Sequence, residues 1–275
     1  MFKSSDYLLI TEIARKLAKS TCKLYVYGQE KIGVPQSLGS SILLELNNNY
    51  YCVSNAHVLG DENIGKAFVL NQFKKSMTIG GFFHTTKLPP NGKREDDVID
   101  VSVVKLQLTA VDWLTASGYL FLPMEKIESD FEPSLKDLML MVGYPASKTK
   151  TIISQKSLTT SPFYFVTKPN FKDLTEMKFS SADHIFADYT RKQIHNPRTG
   201  KNNTGPLPHG MSGGGLYHIQ KNVTGNYDVY LIGIMSEYIV KHSLVVSTKI
   251  GLVLDIIKQK IDPDIAYNGL FRHVT

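Results

Sequence analysis

The sequence predicts an all-β fold with an N-terminal and a C-terminal helix. Three observations carry that prediction. Short runs rich in Val, Ile, Tyr and Thr recur along most of the chain, separated by Gly, Asn, Pro and Lys, as strands and turns require. Helical periodicity is strong in only two segments, one near each terminus. Strands do not alternate with long helical patterns, so a parallel βαβ sheet fits poorly and barrels or a sandwich fit well.

Taken in order, residues 6–19 place Leu9, Ile10, Ile13, Ala14, Leu17 and Ala18 on one helical face, with Ser5 or Asp6 available as N-cap. Strand texture follows at 23–27, 41–46, 50–53 and 101–106, and Asn47-Asn48-Asn49 predicts a hairpin turn. Residues 109–133 combine a short helical pattern with Pro123 and Pro133 and read as the connection between two halves. Strand texture returns at 138–143, 151–158, 184–189, 227–234 and 243–246. A closing helix over 250–260 sets Leu252, Val253, Ile256 and Ile257 on one side. The expected organisation is a helix within 1–20, a first β unit over 21–130 and a second over 131–275.

Composition excludes several function classes. With 275 residues, 42% hydrophobic and 20% charged, the chain can build a sizeable core and is a poor fit to disorder, collagen or solenoids. Its longest apolar stretches, at 138–142 and 229–235, fall far short of the roughly 20 residues that span a bilayer, so no membrane partner is expected. Lys and Arg exceed Asp and Glu by 6, which invites a nucleic-acid reading. The basic residues are scattered, however, and the densest group, Arg191, Lys192, Arg198 and Lys201, lies among Gly200, Asn202, Asn203 and prolines in a loop pattern. No nucleic-acid partner is expected. Cys22 and Cys52 allow one disulfide but no disulfide framework, and no cysteine or histidine pair has zinc spacing. The expectation is a cytoplasmic protein with no metal and no cofactor.

The segment most suggestive of chemistry is Pro208-His209-Gly210-Met211-Ser212-Gly213-Gly214-Gly215-Leu216. A serine between glycines can sit on a tight turn close to a substrate carbonyl, with the Gly210 and Ser212 N–H groups converging on the developing oxyanion. A serine hydroxyl needs a base, and the base needs a group that fixes its tautomer. His57, in Ser54-Asn55-Ala56-His57-Val58 after an apolar strand, and Asp100, before Val101-Ser102-Val103-Val104-Lys105-Leu106, are the candidates. Each alone reads equally well as a structural residue of a turn or strand end. The combination is what speaks for chemistry.

These three segments resemble those of the trypsin-like (chymotrypsin-fold) serine peptidases. Ser54-Asn55-Ala56-His57-Val58 is similar to the family's Thr-x-x-His-Val, and residues 100–106 to its Asp-x-Ala-apolar-apolar-Lys/Arg-Leu. Gly210-Met211-Ser212-Gly213-Gly214 matches its Gly-x-Ser-Gly-Gly turn, and the order His, Asp, Ser is the family's. Gly39-Ser40-Ser41, Val142-Gly143-Tyr144-Pro145 and Gly233-Ile234-Met235-Ser236 extend the resemblance over residues 35–260. It implies two packed antiparallel six-stranded β-barrels and a serine endopeptidase with His57, Asp100 and Ser212 as triad. A protein or peptide is then the substrate, with room left for an activating partner protein.

Departures from the pattern sharpen the expectation. Zymogen-type members carry Asp before the nucleophile, and here that residue is Met211. This resembles the intracellular and bacterial branch, in which activation does not use a salt bridge to a freed N-terminus. The position implied for the base of the specificity pocket is Pro206, with nothing acidic in Gly205-Pro206-Leu207-Pro208, which disfavours a basic P1 residue and favours a small or apolar one. Ser236 and Tyr238 are the implied substrate-binding residues, with Ser236 close enough to Asp100 to help hold it and Tyr238 narrowing the pocket mouth. Cys22 is the one available mate for Cys52. Two rivals remain: a catalytically silent trypsin-like binding module, and an α/β-hydrolase esterase using Ser212 with Asp255 or Asp264 and His273. The second is disfavoured because an elbow serine must open a helix, and three glycines follow Ser212.

Overall fold

Apolar strands with polar turns roll up here into two antiparallel sheets that pack against each other. The computed structural model describes residues 4–28, 34–152, 157–171, 178–195, 202–265 and 267. The first sheet comprises β1 (Thr21–Tyr27), β2 (Pro35–Leu46), β3 (Asn49–Ser54), β4 (Phe68–Leu70), β5 (Ser76–Thr78), β6 (Gly81–Thr85) and β7 (Ser102–Leu106), in the order β5-β4-β1-β2-β3-β7-β6. Asn47 and Asn48 join β2 to β3 with φ of 49° and 61°, both left-handed as a two-residue hairpin demands. Only Ile79 and Gly80 separate β5 from β6, so the chain bends there from one edge of the sheet to the other. Counting 76–85 as one bent strand gives six antiparallel strands. The short β8 (Leu122–Pro123) adds to β2 in parallel.

The second sheet orders β12 (Phe163–Thr167), β9 (Leu138–Gly143), β16 (Gly215–Lys221), β17 (Tyr227–Ile239), β18 (Leu244–Lys249) and β13 (His184–Asp188) side by side. Its two edges meet just beyond β12, where Pro169 bridges Ala187 and the Asn170 amide donates to Phe186 O at 2.9 Å. The predicted strand at 151–158 is instead a hairpin of β10 (Thr149–Ile152) and β11 (Ser157–Thr160), paired from Thr149↔Thr160 to Ile152↔Ser157. The polar run Ser154-Gln155-Lys156 interrupts its apolar texture. A second small hairpin pairs β14 (Ile194–His195) with β15 (Asn202–Asn203). Arg198 and Lys201, predicted to lie in a basic loop, fall outside the described residues.

Among the described residues, three larger apolar cores follow from this arrangement, beside a small cluster of Phe179, Phe186, Leu244 and Val246. Leu24, Leu43, Cys52 and Val104 fill the first barrel, and Met139, Ile185, Leu216 and Ile232 the second. The largest core lies between them, where Ile42, Leu44 and Val53 of the first sheet meet Leu140, Leu231 and Ile234 of the second. Both terminal helices seal that seam. The first, α1 (Ser4–Leu17), buries Ile10 and Ala14, and the last, α4 (Ile250–Lys260), buries Val253, Ile256 and Ile257. Helix α1 begins before the expected cap, and Asp6 sits in its first turn, paired with Lys221 at 3.2 Å. Two shorter helices, α2 (Ala56–Leu59) and α3 (Leu108–Ala116), follow β3 and β7. Cys22 and Cys52 are both buried and both free thiols. Among the described residues no helix is long and apolar enough to cross a membrane.

Just after α4, Asp262 fastens the end of that helix to the first sheet. Its Oδ2 accepts hydrogen bonds from Tyr51 Oη at 2.7 Å and Lys105 Nζ at 2.9 Å. Burial pushes the Asp262 carboxyl up, but the hydrogen bonds from Lys105 and Tyr51 and the Lys105 charge outweigh it, and the net shift is downward. A depressed carboxylate pKa stabilises the fold above the ordinary value of 3.8 and loses that contribution as pH falls through the folded value. Asp262→Asn is therefore expected to cost about 1 kcal/mol at pH 7, a screened value because Lys105 is partly exposed. The difference from wild type in urea unfolding should narrow as pH falls below 3.8. A gap that stays constant as the solution is acidified through the carboxylate range would contradict this account.

Candidate active site

Helix α2 is one turn long and is held at its start by Asn55, whose carbonyl accepts the Val58 and Leu59 amides at 3.1 and 2.9 Å. Val58 and Leu59 bury in the first barrel, which leaves His57 on the outward side of the turn, its side chain 40% exposed. Asp100 lies at the start of β7 with φ of 50°, a left-handed value that Asp tolerates better than most residues. Its backbone is gripped from both sides. The Asp100 and Ile99 amides donate to Asp97 Oδ1 at 3.0 and 3.1 Å, and the Asp100 carbonyl accepts from Asn55 Nδ2 at 3.0 Å and the Ala56 amide at 3.2 Å. Asp97 is itself fixed through Oδ2 by Thr86 and by Arg94 at 2.7 Å.

Both Asp100 carboxylate oxygens are spent on His57. Oδ1 accepts the His57 amide at 2.9 Å and Oδ2 lies 2.6 Å from Nδ1. An ionised carboxylate can only accept, so Nδ1 carries the proton and Nε2 keeps its lone pair. Among the described residues, Nε2 has no hydrogen-bond partner.

Ser212 lies on the turn that leads into β16. Gly210 and Gly213 take φ of 87° and 84°, which bends the chain twice within four residues. The turn is tied to both sheets. Gly213 N donates to Met235 O at 2.8 Å, while Ser40 on β2 donates its amide to Ser212 O at 2.8 Å and its hydroxyl to Gly210 O at 2.9 Å. Peptide planarity then sets where the other amides point. His209 O is turned back to accept the Ala146 amide at 2.7 Å, and Met211 O to accept the Gly214 amide at 2.8 Å. The N–H groups of Gly210 and Ser212 therefore face the opposite way, and among the described residues neither donates to a protein acceptor. The Ser212 hydroxyl donates to Ser236 O at 3.1 Å and makes no hydrogen bond with His57.

His57, Asp100 and Ser212 line one cleft of about 650 Å³ between the sheets. Leu207, Pro208, Met211, Tyr238, Val240 and Val245 supply an apolar wall, and Arg94, Glu95, Lys178 and Glu237 a charged rim. Lys178 reaches Glu237 at 3.4 Å and also donates to Glu95 O.

Two solved structures place this architecture. HBP superposes with a TM-score of 0.54 at 12% identity, over 90% of this chain and 93% of that one. Human heparin binding protein superposes with a TM-score of 0.51 at 12% identity, over 88% and 91%. The fold is trypsin-like. A serine endoprotease from Yersinia pestis also matches, with a TM-score of 0.46 at 15% identity over 92% of this chain and 66% of that one. No family model and no curated protein matches the chain in sequence.

Within the trypsin-like fold, two sequence-based expectations need correction. Pro206 does not line the cleft: the hydroxyl of buried Tyr189, at the end of β13, donates to Pro206 O at 2.7 Å and draws that backbone onto the second sheet. Leu207 and Pro208 line the cleft instead, together with Tyr238, which lies edge-on to Tyr189 at 5.7 Å. Ser236 does not hold Asp100, because its hydroxyl donates across to Val246 O at 3.2 Å; Asp97 and Asn55 steady Asp100 from its own sheet. The α/β-hydrolase rival fails on the fold, since the Ser212 turn leads into a strand and not a helix, and Asp255 is buried on α4. Asp264 follows α4, and His273 lies outside the described residues. Met211 is buried among Met139, Met141 and Met235, so apolar packing anchors the turn from below. Asp97, Ser40 and Lys23 were not anticipated. For Lys23 the one signal was a lysine inside an apolar strand.

Proposed function

We propose that this protein is a serine endopeptidase. The observation that carries the reading is the His57 imidazole fixed on Asp100 at 2.6 Å, in the same cleft as a serine on a double-glycine turn. Ser212 attacks the scissile carbonyl, and His57 Nε2 takes its proton and returns it to the leaving amine. Asp100 fixes the tautomer and stabilises the imidazolium. The Gly210 and Ser212 amides hold the oxyanion. To act, the Ser212 hydroxyl must rotate from Ser236 O toward His57. Met211 in place of an acidic residue supports activation without a freed N-terminus. The apolar wall around Leu207, Met211, Tyr238 and Val245 supports a small or apolar P1 residue. The free, buried Cys22 and Cys52 support the cytoplasm as its compartment, and an activating partner protein fits the resting rotamer of Ser212.

A second reading is a catalytically silent binding module, favoured by the commitment of the Ser212 hydroxyl to Ser236 O. The fold does not choose between the two, since it is shared with a protein named for binding heparin. A fluorophosphonate probe does. Wild type should be labelled at Ser212 and both Ser212→Ala and His57→Ala should not, and peptide-library cleavage should fall after apolar or small residues. A wild type inert to the probe across pH 6–9 would favour the binding module, and cleavage after Lys or Arg would overturn the P1 assignment.

A further inference from the structure

Lys23 sits in the middle of β1, only 2% exposed, in a strand whose neighbouring residues are buried on both faces. Its register partner on β2 is Ser40, the residue that ties the Ser212 turn to the first sheet. Lys23 Nζ donates to Tyr144 O at 2.8 Å, and among the described residues no carboxylate lies within ion-pair distance of it. A Cβ added to Gly210 would come within 3.1 Å of Nζ, so the ammonium lies directly against the oxyanion turn. A lone buried charge is costly, and nothing in the packing of β1 calls for one.

The loop that Lys23 grips is the one that orients Gly210. The Ala146 amide holds His209 O at 2.7 Å, which turns the Gly210 N–H away from that loop. The Tyr144 amide donates to Ser40 Oγ at 3.0 Å, and that hydroxyl donates to Gly210 O at 2.9 Å. The peptide before Gly210 is thus held by a loop that the ammonium fastens to β1, and the peptide after it by a Ser40 hydroxyl that the same loop steadies. We propose that the charged Lys23 side chain is a positioning residue for the oxyanion site, holding the 144–146 loop so that the Gly210 amide faces the substrate carbonyl. The inference rests on the endopeptidase reading. The same charge also favours the negative oxygen that develops at that amide.

Burial alone lowers the Lys23 pKa from 10.5 to about 8. The titratable groups around the loop and β1 are Tyr144, Tyr25, Tyr119 and Cys22, each pushed upward by burial and so neutral through this range, together with His209 on the turn itself. Between about pH 8 and 10.5 the folded protein releases a proton that the unfolded chain keeps. Stability from this group therefore rises with pH in that window, while the positioning charge is lost. A purely structural ammonium would give the same rise in stability and leave the labelling rate unmoved in that window.

The test measures the fluorophosphonate labelling rate of the full chain from about pH 6 to 10, with thermal unfolding in parallel. Wild type should lose rate above about pH 8 with no matching loss of Tm. Lys23→Met should still fold, label Ser212 about tenfold more slowly at pH 7, and lack the alkaline limb; the loss is smaller than the about 10²–10³ typical of deleting a direct donor. Labelling of Lys23→Met within twofold of wild type with its alkaline limb intact overturns the inference. If Lys23→Met does not fold, Lys23→Arg decides: a limb displaced above about pH 10 supports the role and an unmoved limb sinks it. A labelled wild type with an unmoved limb removes only Lys23 from the account. A wild type inert at every pH removes the endopeptidase reading and this inference with it.

Discussion

Asp100→Asn is expected to lower kcat by about 10⁴-fold while the protein still folds. Asn fills the same volume and tolerates the left-handed φ of 50° at this position. The backbone grip of Asp97 and Asn55 does not involve the Asp100 carboxylate, so it survives the change. What fails is the hydrogen-bond pattern, because both carboxylate oxygens accept from His57. If the new amide NH₂ faces Nδ1, that nitrogen must become the acceptor and the proton moves to Nε2, where it blocks general-base action. If the amide is flipped, NH₂ confronts the His57 backbone N–H. The measurement is kcat on a cleaved peptide beside thermal unfolding. A loss of less than about tenfold with an intact fold would remove Asp100 from the proposed chemistry.

Gly213→Ala is expected to be among the most damaging single substitutions in the chain. Gly213 has φ of 84°, and a Cβ there would run into Ser40 O and Ser54 Oγ, well inside van der Waals contact. Those two atoms are hydrogen-bonded to each other at 2.7 Å and belong to β2 and β3, so they cannot swing aside. Strain of about 1–3 kcal/mol from the backbone and a similar amount from overpacking should together cost about 2–6 kcal/mol. Gly118→Ala makes the comparison clean. Its φ of 86° is nearly the same, but the space where its Cβ would stand is empty, so only the backbone strain remains. Chemical denaturation of both variants checks the difference, and equal losses would mean that the clash is relieved by movement of β2.

Much of this was legible in the residues. The hairpin at Asn47-Asn48 and the closing helix over Ile250–Lys260 are local features, settled by left-handed propensity and by 3.6-residue periodicity. His57, Asp100 and Ser212 announce themselves by their flanking apolar strands and glycines, and the fold brings all three to one cleft. Features set by distant partners were not legible. Whether 151–158 is one strand or two depends on what pairs with it, and its Thr and Ile residues suit either. The displacement of Pro206 depends on a tyrosine hydroxyl on another strand. Ser236 met Val246 before Asp100 for the same reason. Lys23 showed only as an oddity of composition, because its meaning lies in a loop 121 residues away.

The hydrogen bond from Ser212 to Ser236 O has a consequence for how occupancy and readiness are linked. Under the proposed chemistry, Ser236 O lies on the strand along which a substrate backbone would pair, so an incoming peptide N–H and the serine hydroxyl compete for one carbonyl. Only molecules whose hydroxyl has left that carbonyl are competent, and the apparent affinity is diluted by their fraction. A net hydrogen bond of about 0.5–1.5 kcal/mol sets that dilution at roughly three- to fourteenfold. A peptide that captures the carbonyl removes the dilution as it docks. If the endopeptidase proposal holds, extended substrates that reach Ser236 should then gain in turnover as well as in binding, whereas a small ester that cannot reach it meets a serine mostly at rest.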